Sequence, residues 1–296
     1  MAIRKRSVKN HRNLVKARRR VRMRSALLLT LGVFALTALG RLLLAPALPG
    51  GVRTLLEALL TVLAFGGGAY LGLCVLDGDH SSLVPLRRLS RAQTLWMALL
   101  GVTAVFPMAL IADLMDALRG AVETVPAAIA PANAGLLVKS VLIAPVCEEL
   151  FFRGYLAPAL ERDGKLRAAV VTSVCFALVH PAAWTAHLAL GMLLYGVSAR
   201  TSSLPAAILV HMACNLMLLT LGALGTSGLL MGWSLAACIV KVLGCAAFAA
   251  VLKRAYTARE TEGMFSLRTA GGFSRRERAW LAAALAALLL AMMLGG

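Results

Sequence analysis

Two adjacent carboxylates, Glu148 and Glu149, lie in an apolar stretch of the chain and are followed by Arg153. Ionisable side chains inside such stretches are costly and usually functional. On a helix, Glu149 and Arg153 share a face and can neutralise each other as a salt bridge. Glu148 points about 100° away and is left without a full partner. A buried carboxylate of this kind suits a general base. The structural alternative is a charge cluster at the membrane interface.

Two further pairs of residues repeat the four-residue spacing. Phe176 lies one turn before His180, where an aromatic ring can fix the orientation of the imidazole. His211 and Asn215 also share one helix face, and both can donate hydrogen bonds to a developing oxyanion. For either pair, the structural alternative is hydrogen bonding between neighbouring helices.

The remaining polar residues of the apolar segments carry weaker signals. His187 follows His180 by seven residues and is predicted to support the same cavity, with a packing or interfacial role as the alternative. The others lie near segment ends, where solvation, or a side chain reaching to the membrane surface, accounts for them. These residues are Glu57, Asp113, Asp116, Lys139 and Lys241.

The composition indicates that membrane-spanning helices position these residues. Of 296 residues, 60% are hydrophobic and 15% are charged, and the formal net charge is +18. A soluble domain is about half apolar and roughly a quarter charged, and a disordered chain would be poor in apolar residues. Both classes are therefore excluded.

The six cysteines lie in apolar runs without a CxxC pair, so we expect neither a disulfide framework nor a thiolate zinc site.

We predict an all-α, polytopic bundle of eight or nine transmembrane helices around a polar intramembrane cavity. Each span needs ~20 mostly apolar residues. With nine spans and the N-terminus inside, the inner side receives 25 Lys and Arg residues and the outer side three, as the positive-inside rule requires. The predicted spans are 25–45, 54–76, 94–118, 134–157, 167–182, 183–199, 203–225, 228–252 and 279–295.

The spans and charges divide the chain into four segments. A basic arm precedes the first span and is expected to lie near anionic lipid rather than to bind nucleic acid. The core with the three motifs is flanked by helices on both sides, and the C-terminal helices are interrupted by a basic cytoplasmic loop. The segments are 1–24, 25–133, 134–225 and 226–296, and the loop is 253–278.

The order EExxxR, FxxxH, HxxxN resembles the CPBP family, also called the Abi or CAAX-protease and bacteriocin-processing family, whose members are intramembrane endopeptidases. The resemblance covers residues 134–225, where each motif lies on a separate apolar segment. It implies an all-helical fold whose core spans surround a polar cavity. It also implies proteolysis by an activated water molecule.

The resemblance implies a role for each matched residue. Glu148 would be the general base, and His180 would hold and polarise the water. His211 and Asn215 would stabilise the tetrahedral oxyanion. The residues that would support the site are Glu149, Arg153 and Phe176.

A zinc site is the alternative form of the same chemistry. The sequence has no HExxH motif, but Glu148, His180 and His211 are a candidate His₂Glu set with an open fourth position. We favour the metal-free mechanism and keep zinc as the alternative cofactor.

The predicted span ends place Glu148 and His180 at different depths. At the rise of an α-helix, Glu148 lies ~21 Å from the outer end of its span and His180 ~20 Å from the inner end. In a hydrocarbon core of ~30 Å, these depths fall toward opposite leaflets. A water shared by the two side chains therefore requires the fifth helix to begin at a deeper level in the membrane than the predicted span 167–182 gives it.

The function predicted from the sequence is hydrolysis of a peptide bond in a membrane-associated protein or peptide. The multi-pass protein would lie in the inner membrane of a bacterium with its N-terminus in the cytoplasm. Two other classes remain as alternatives. One is a non-catalytic membrane scaffold or immunity protein, and the other is a transporter with a polar path of Glu, His and Arg side chains.

Overall fold

The computed structural model describes residues 25–43, 48–76, 84, 86–118, 134–161, 164–180, 184–224, 229–230 and 232–257. Within these ranges the chain is all-helical, as predicted, and it contains no strand. A single isolated bridge joins Leu86 and Ser203. The predictions for the basic arm 1–24 and for the span 279–295 fall outside the described residues.

Eight helices occupy the described part of the chain, and each corresponds to one of the first eight predicted spans. Two of them, α2 and α4, alternate between α-helical and π-helical turns without interruption. The helices are α1 Ser25–Leu43, α2 50–76, α3 Arg91–Leu118, α4 134–161, α5 Lys165–Leu178, α6 Trp184–Thr201, α7 Leu204–Ala223 and α8 Leu235–Thr257.

Five of these helices, α1, α2, α3, α7 and α8, are long and apolar enough to cross a membrane. Their outer faces carry large apolar side chains such as Leu28 and Leu42, which are 67% and 73% exposed. This exposure is typical of helices that face lipid. The other three helices carry most of the candidate site residues, and α5 has only 14 residues. The count of eight or nine spans stays a prediction.

The helices of the second half of the chain pack closely around α3. α3 contacts α6, α7 and α8, and α5 pairs with α6. Gly101 of α3 lies against the backbone of α7, where an added Cβ would collide with the Val210 carbonyl. Glycine is therefore needed for this approach of the two helices.

A short turn between α6 and α7 sets the position of the HxxxN motif. Ser202 has a φ of 49°, and the Ser203 hydroxyl accepts a hydrogen bond from the amide of Ala206 at 3.3 Å, which caps the start of α7. The same hydroxyl donates to the Arg87 carbonyl at 2.7 Å. The cap therefore also ties the segment before α3 to the start of α7.

Two of the expectations for polar residues near span ends are wrong. Lys241 of α8 is fully buried, and its ammonium group donates to the carboxylate of Asp113 on α3, which is also buried. The Lys241 ammonium also lies 4.8 Å from the ring centre of Trp233. Packing between α3 and α8 gives both charges a partner, so neither side chain needs to reach the membrane surface. Asp116, in contrast, is exposed as expected.

The six cysteines are free, as expected from the absence of a disulfide pattern. Cys147 and Cys214 are buried, whereas Cys74 is exposed. The apolar runs around all six cysteines suggest small core residues, and this interpretation fails for Cys74.

Candidate active site

A cavity of about 510 Å³ brings together side chains from five helices, α1, α2, α4, α6 and α7, and from the two residues that follow α5. Four of the predicted catalytic residues line it, and so does the supporting histidine. These residues are Glu148, His180, His187, His211 and Asn215.

Glu149 lies behind the cavity wall and forms the centre of a buried polar network. Its Oε1 accepts hydrogen bonds from Arg153 Nη1 at 2.9 Å and from His211 Nδ1 at 3.1 Å. The side chains of Glu149 and Arg153 are both fully buried. The predicted ion pair is therefore present, and it also binds α7 to α4 through His211.

Arg153 connects this network to two more helices. Its Nη2 donates to the Gly191 carbonyl of α6 at 2.9 Å, and its guanidinium lies 4.8 Å from the ring centre of Phe176 on α5. Gly191 lies against Ser173, where an added Cβ would come within 3.0 Å of its Cα. The close approach of α6 to α5 brings the Gly191 carbonyl within reach of Arg153.

His180 lies just beyond the end of α5, and its own helix fixes the orientation of its ring. Nδ1 is 2.9 Å from the Phe176 carbonyl, and because a carbonyl oxygen only accepts, Nδ1 carries the proton. In the neutral ring, Nε2 therefore presents a lone pair. The Phe176 ring centre lies 5.0 Å from that of His180, so both the backbone and the ring of Phe176 hold the imidazole.

Glu148 faces His180 across the cavity wall. Its Oε1 is 3.9 Å from Nε2 of His180, and the residue is 5% exposed. Among the described residues, Oε2 of Glu148 has no hydrogen-bond partner. The two adjacent carboxylates thus differ as the sequence predicts, because Glu149 is held by a cation and Glu148 is not.

His187 of α6 stacks on His180. Their ring centres are 4.0 Å apart and their planes are inclined by 4°. His187 therefore lines the cavity with His180, and its supporting role stays a prediction beside the packing alternative.

Asn215 lines the cavity, but its amide contacts the backbone of α4. Nδ2 donates to the Ser140 carbonyl at 2.8 Å. Ser140 lies in the turn before Pro145, and proline has no N–H to give to the carbonyls of that turn. One hydrogen of the Asn215 amide is thus committed to holding α4 against α7, which leaves the second for a ligand.

The zinc set kept as the alternative is not assembled in the described part of the chain, where no group of three or more His, Cys, Asp or Glu side chains is arranged to hold a metal ion. Nδ1 of His211 is hydrogen-bonded to Glu149, and Nε2 of His180 lies 3.9 Å from Oε1 of Glu148.

Sequence reasoning missed a basic part of the cavity wall. The ammonium group of Lys139 donates to Glu57, and Arg53 Nε also donates to Glu57 at 2.9 Å. Arg41 of α1 donates to the Val179 carbonyl at 2.6 Å. All four charged residues line the cavity. Their positions near segment ends suggested solvation. The four-residue spacing of Arg53 and Glu57 could have indicated their ion pair, whereas no spacing predicts the contacts of Lys139 and Arg41 with other helices.

Residues 130–217 match the sequence model of one known family, which is described as Rce1-like: type II CAAX prenyl endopeptidase Rce1-like. The matched segment contains α4, α5, α6 and most of α7, and thus every predicted catalytic residue. No match to a curated protein or to a solved structure was found. With the five apolar helices, the match supports an integral membrane protein and an enzyme of a protease family. It confirms the resemblance drawn from the sequence, since residues 130–217 match the Rce1-like proteases of the CPBP family.

Proposed function

We propose that this protein is an intramembrane endopeptidase that hydrolyses a peptide bond of a membrane-associated protein or peptide. The proposal rests on one observation above the others, the separation of 3.9 Å between Glu148 Oε1 and His180 Nε2. Both atoms are hydrogen-bond acceptors when the carboxylate is ionised and the imidazole is neutral. Two acceptors at this separation are suitable partners for the two hydrogens of one water molecule.

A water held in this way is oriented for attack on a carbonyl carbon. Its two O–H groups point to Glu148 and His180, so a lone pair of its oxygen points away from both, into the cavity. As the new C–O bond forms, one proton passes from the water to Glu148, which acts as the general base. His180 keeps its own proton on Nδ1 for the Phe176 carbonyl and holds the second hydrogen of the water.

The oxyanion that forms needs donors on the opposite side of the carbonyl. In our proposal these are His211 and the second amide hydrogen of Asn215. Because Nδ1 of His211 donates to Glu149, donation from Nε2 requires the doubly protonated ring. The carboxylate of Glu149 then offsets the added positive charge, and Arg153 keeps that carboxylate in place.

The reaction is completed by transfer of the proton from Glu148 to the leaving nitrogen, as the C–N bond breaks. This step regenerates the carboxylate and leaves a new carboxyl terminus and a new amino terminus. His187, stacked on His180, keeps the ring in the plane that faces Glu148. The low polarity around the buried network strengthens each of these electrostatic interactions.

The arrangement in the membrane is part of the same proposal. The catalytic core is residues 134–225, flanked by the helices of 25–133 and 226–296, in a nine-span arrangement in a bacterial inner membrane. The basic arm 1–24 would lie in the cytoplasm against anionic lipid. The substrate would reach the cavity from the bilayer or from its surface.

The test compares the membrane proteins of cells that express the wild type or Glu148→Ala, with mass spectrometry of new protein termini as the readout. Glu161→Gln is a matched control, since Glu161 is a carboxylate of the same helix whose partner is the Tyr195 hydroxyl at 2.9 Å. We expect pairs of termini that are present with the wild type and with Glu161→Gln but absent with Glu148→Ala.

Termini that depend on Glu148 also identify the substrate and the cleaved bond. Identical termini in all three strains, with Glu148→Ala expressed at the wild-type level, would contradict the proposal. If cells that express Glu148→Ala then keep the phenotype of cells that express the wild type, a scaffold or immunity protein is favoured. Uptake or conductance lost in that variant would favour a transporter.

A further inference from the structure

Arg41 is a charged residue that links the first helix to the candidate active site. It lies near the end of α1, outside the matched segment 130–217. Its Nη2 donates to the Val179 carbonyl at 2.6 Å, across 138 residues of the chain. Val179 is the residue immediately before His180.

The contact occurs where α5 ends and needs donors. The last carbonyls of a helix have no partner within the helix, and the guanidinium of an arginine can bind them and interact favourably with the negative end of the helix dipole. α5 ends at Leu178 and Val179 is its C-cap residue. Arg41 therefore caps α5 from another helix.

His180 is the next residue after Val179, so the contact that holds the Val179 carbonyl also restrains the backbone of His180. Within α5, the amide of His180 donates to the Ala177 carbonyl at 2.9 Å, and its ring donates to the Phe176 carbonyl. These two contacts fix His180 relative to its own helix. The contact of Arg41 with Val179 relates this end of α5 to α1.

We propose that Arg41 is a positioning residue for His180, so that the active site is complete only when α1 is docked on the end of α5. The inference deepens the proposed function, and its kinetic arm rests on that function. It names a determinant of activity that lies outside the Rce1-like segment. Arg41 also lines the cavity that contains Glu148 and His180.

Arg53 provides a matched control for the charge. It lines the same cavity, and its ion pair and hydrogen bond go to Glu57 on its own helix. Arg53→Gln therefore removes one positive charge from the cavity wall and leaves the contact of α1 with α5 intact. Arg41→Gln removes the charge and the cap together, whereas Arg41→Lys keeps the charge and one donor.

The first arm of the test does not depend on activity. The full-length protein has five histidines, so ¹⁵N-histidine NMR in nanodiscs gives few signals, and His180→Gln assigns the signal of His180. We expect Arg41→Gln to shift or broaden that signal, Arg53→Gln to leave it in place, and Arg41→Lys to return it toward the wild type. An unchanged His180 signal in Arg41→Gln would overturn the inference.

The second arm uses the peptide identified from the termini comparison. For Arg41→Gln we expect kcat to fall about 10- to 100-fold, because small misplacements of a catalytic group have effects of this size. KM should stay within about twofold of the wild type. A raised KM with kcat unchanged would show that Arg41 binds substrate instead, and would overturn the inference.

The two arms separate the failure of this inference from the failure of the proposed function. If Glu148→Ala leaves all termini unchanged, the proposed function fails, and the NMR arm still decides whether Arg41 places His180. If proteolysis depends on Glu148 but neither the His180 signal nor kcat responds to Arg41→Gln, only the inference fails. Thermal unfolding of each variant checks that the fold is retained.

Discussion

Glu148 and Glu149 are neighbours in the chain, but the fold gives them opposite environments. Glu149 accepts from Arg153 and from His211, whereas Glu148 faces the neutral nitrogen of His180. The spacing of EExxxR predicts the first of these contacts, because residues four apart share a helix face. The contact of His211 with Glu149 joins two helices and has no signature in the spacing. The sequence therefore predicts which residues form the site more fully than it predicts their partners.

Glu149→Gln and Glu148→Gln should fail in different ways. Glu149→Gln leaves the fully buried Arg153 without its counter-charge, and breaking a buried ion pair costs about 3–5 kcal/mol. Glu148→Gln removes a carboxylate that forms no ion pair with Lys or Arg among the described residues, so stability should be kept. Its proteolytic rate should fall about 10²- to 10⁴-fold, the range for loss of a general base. Thermal unfolding and the appearance of substrate termini separate the two effects. Equal melting temperatures for both variants would contradict this division of roles.

At the scale of the helices, the α4–α5 hairpin explains how Glu148 and His180 meet. The span ends predicted from the sequence place the two residues toward opposite leaflets. In the structure, α4 continues to Glu161, four residues beyond its predicted end, and α5 begins at Lys165. Counted from the connection between these helices, Glu148 lies ~20 Å and His180 ~22 Å along the hairpin. The two residues are therefore level, and the predicted mismatch came from span ends that hydropathy alone cannot locate.

The α3–α8 pair shows a second limit of reasoning from single segments. Asp113 and Lys241 are 128 residues apart in the chain, and each is expected to reach water or the membrane surface when it is considered alone. Their pairing depends on the packing of α3 against α8, which no local pattern encodes. Both side chains are at least nine-tenths buried. This ion pair, rather than contact with water, offsets the cost of burying the two charges.

Lys241→Met should destabilise the protein by about 3–5 kcal/mol, because it leaves the Asp113 carboxylate buried and unpaired. The double variant Lys241→Met with Asp113→Leu should recover most of this loss, since two apolar side chains need no partner. Asp116→Leu, at an exposed acid of the same helix, should have little effect. Unfolding in mixed micelles measures all three. A double variant no more stable than Lys241→Met would show that the ion pair does not account for the effect.

For the whole molecule, apolar runs in the sequence predict where the helices lie. They do not predict which turns within a helix are α-helical and which are π-helical. Each of the first eight predicted spans corresponds to a helix in the described residues. The π-helical turns are different, since hydropathy does not distinguish Val138–Ile143 and Leu150–Leu156 of α4 from α-helical turns. Such turns occur frequently at functional sites, and these two flank the turn that carries Glu148 and Glu149. Hydropathy predicts a helix here but not the hydrogen-bond pattern of its turns.

The number of helices that cross the membrane can be tested at two exposed turns. Gly51 lies at the start of α2, and Ser202 between α6 and α7. If all helices from α2 to α6 cross, five spans separate these positions, and Gly51 lies outside and Ser202 inside. If only the five long apolar helices cross, two spans separate them and both lie outside.

We expect an impermeant maleimide to label Gly51→Cys in intact cells and Ser202→Cys only after permeabilisation, in a background without native cysteines. The charge distribution supports this result, because the predicted inner side carries 25 of the 31 Lys and Arg residues and such residues stay in the cytoplasm. Labelling of both positions in intact cells would leave α4, α5 and α6 with an even number of crossings, and the reverse pattern would place the N-terminus outside.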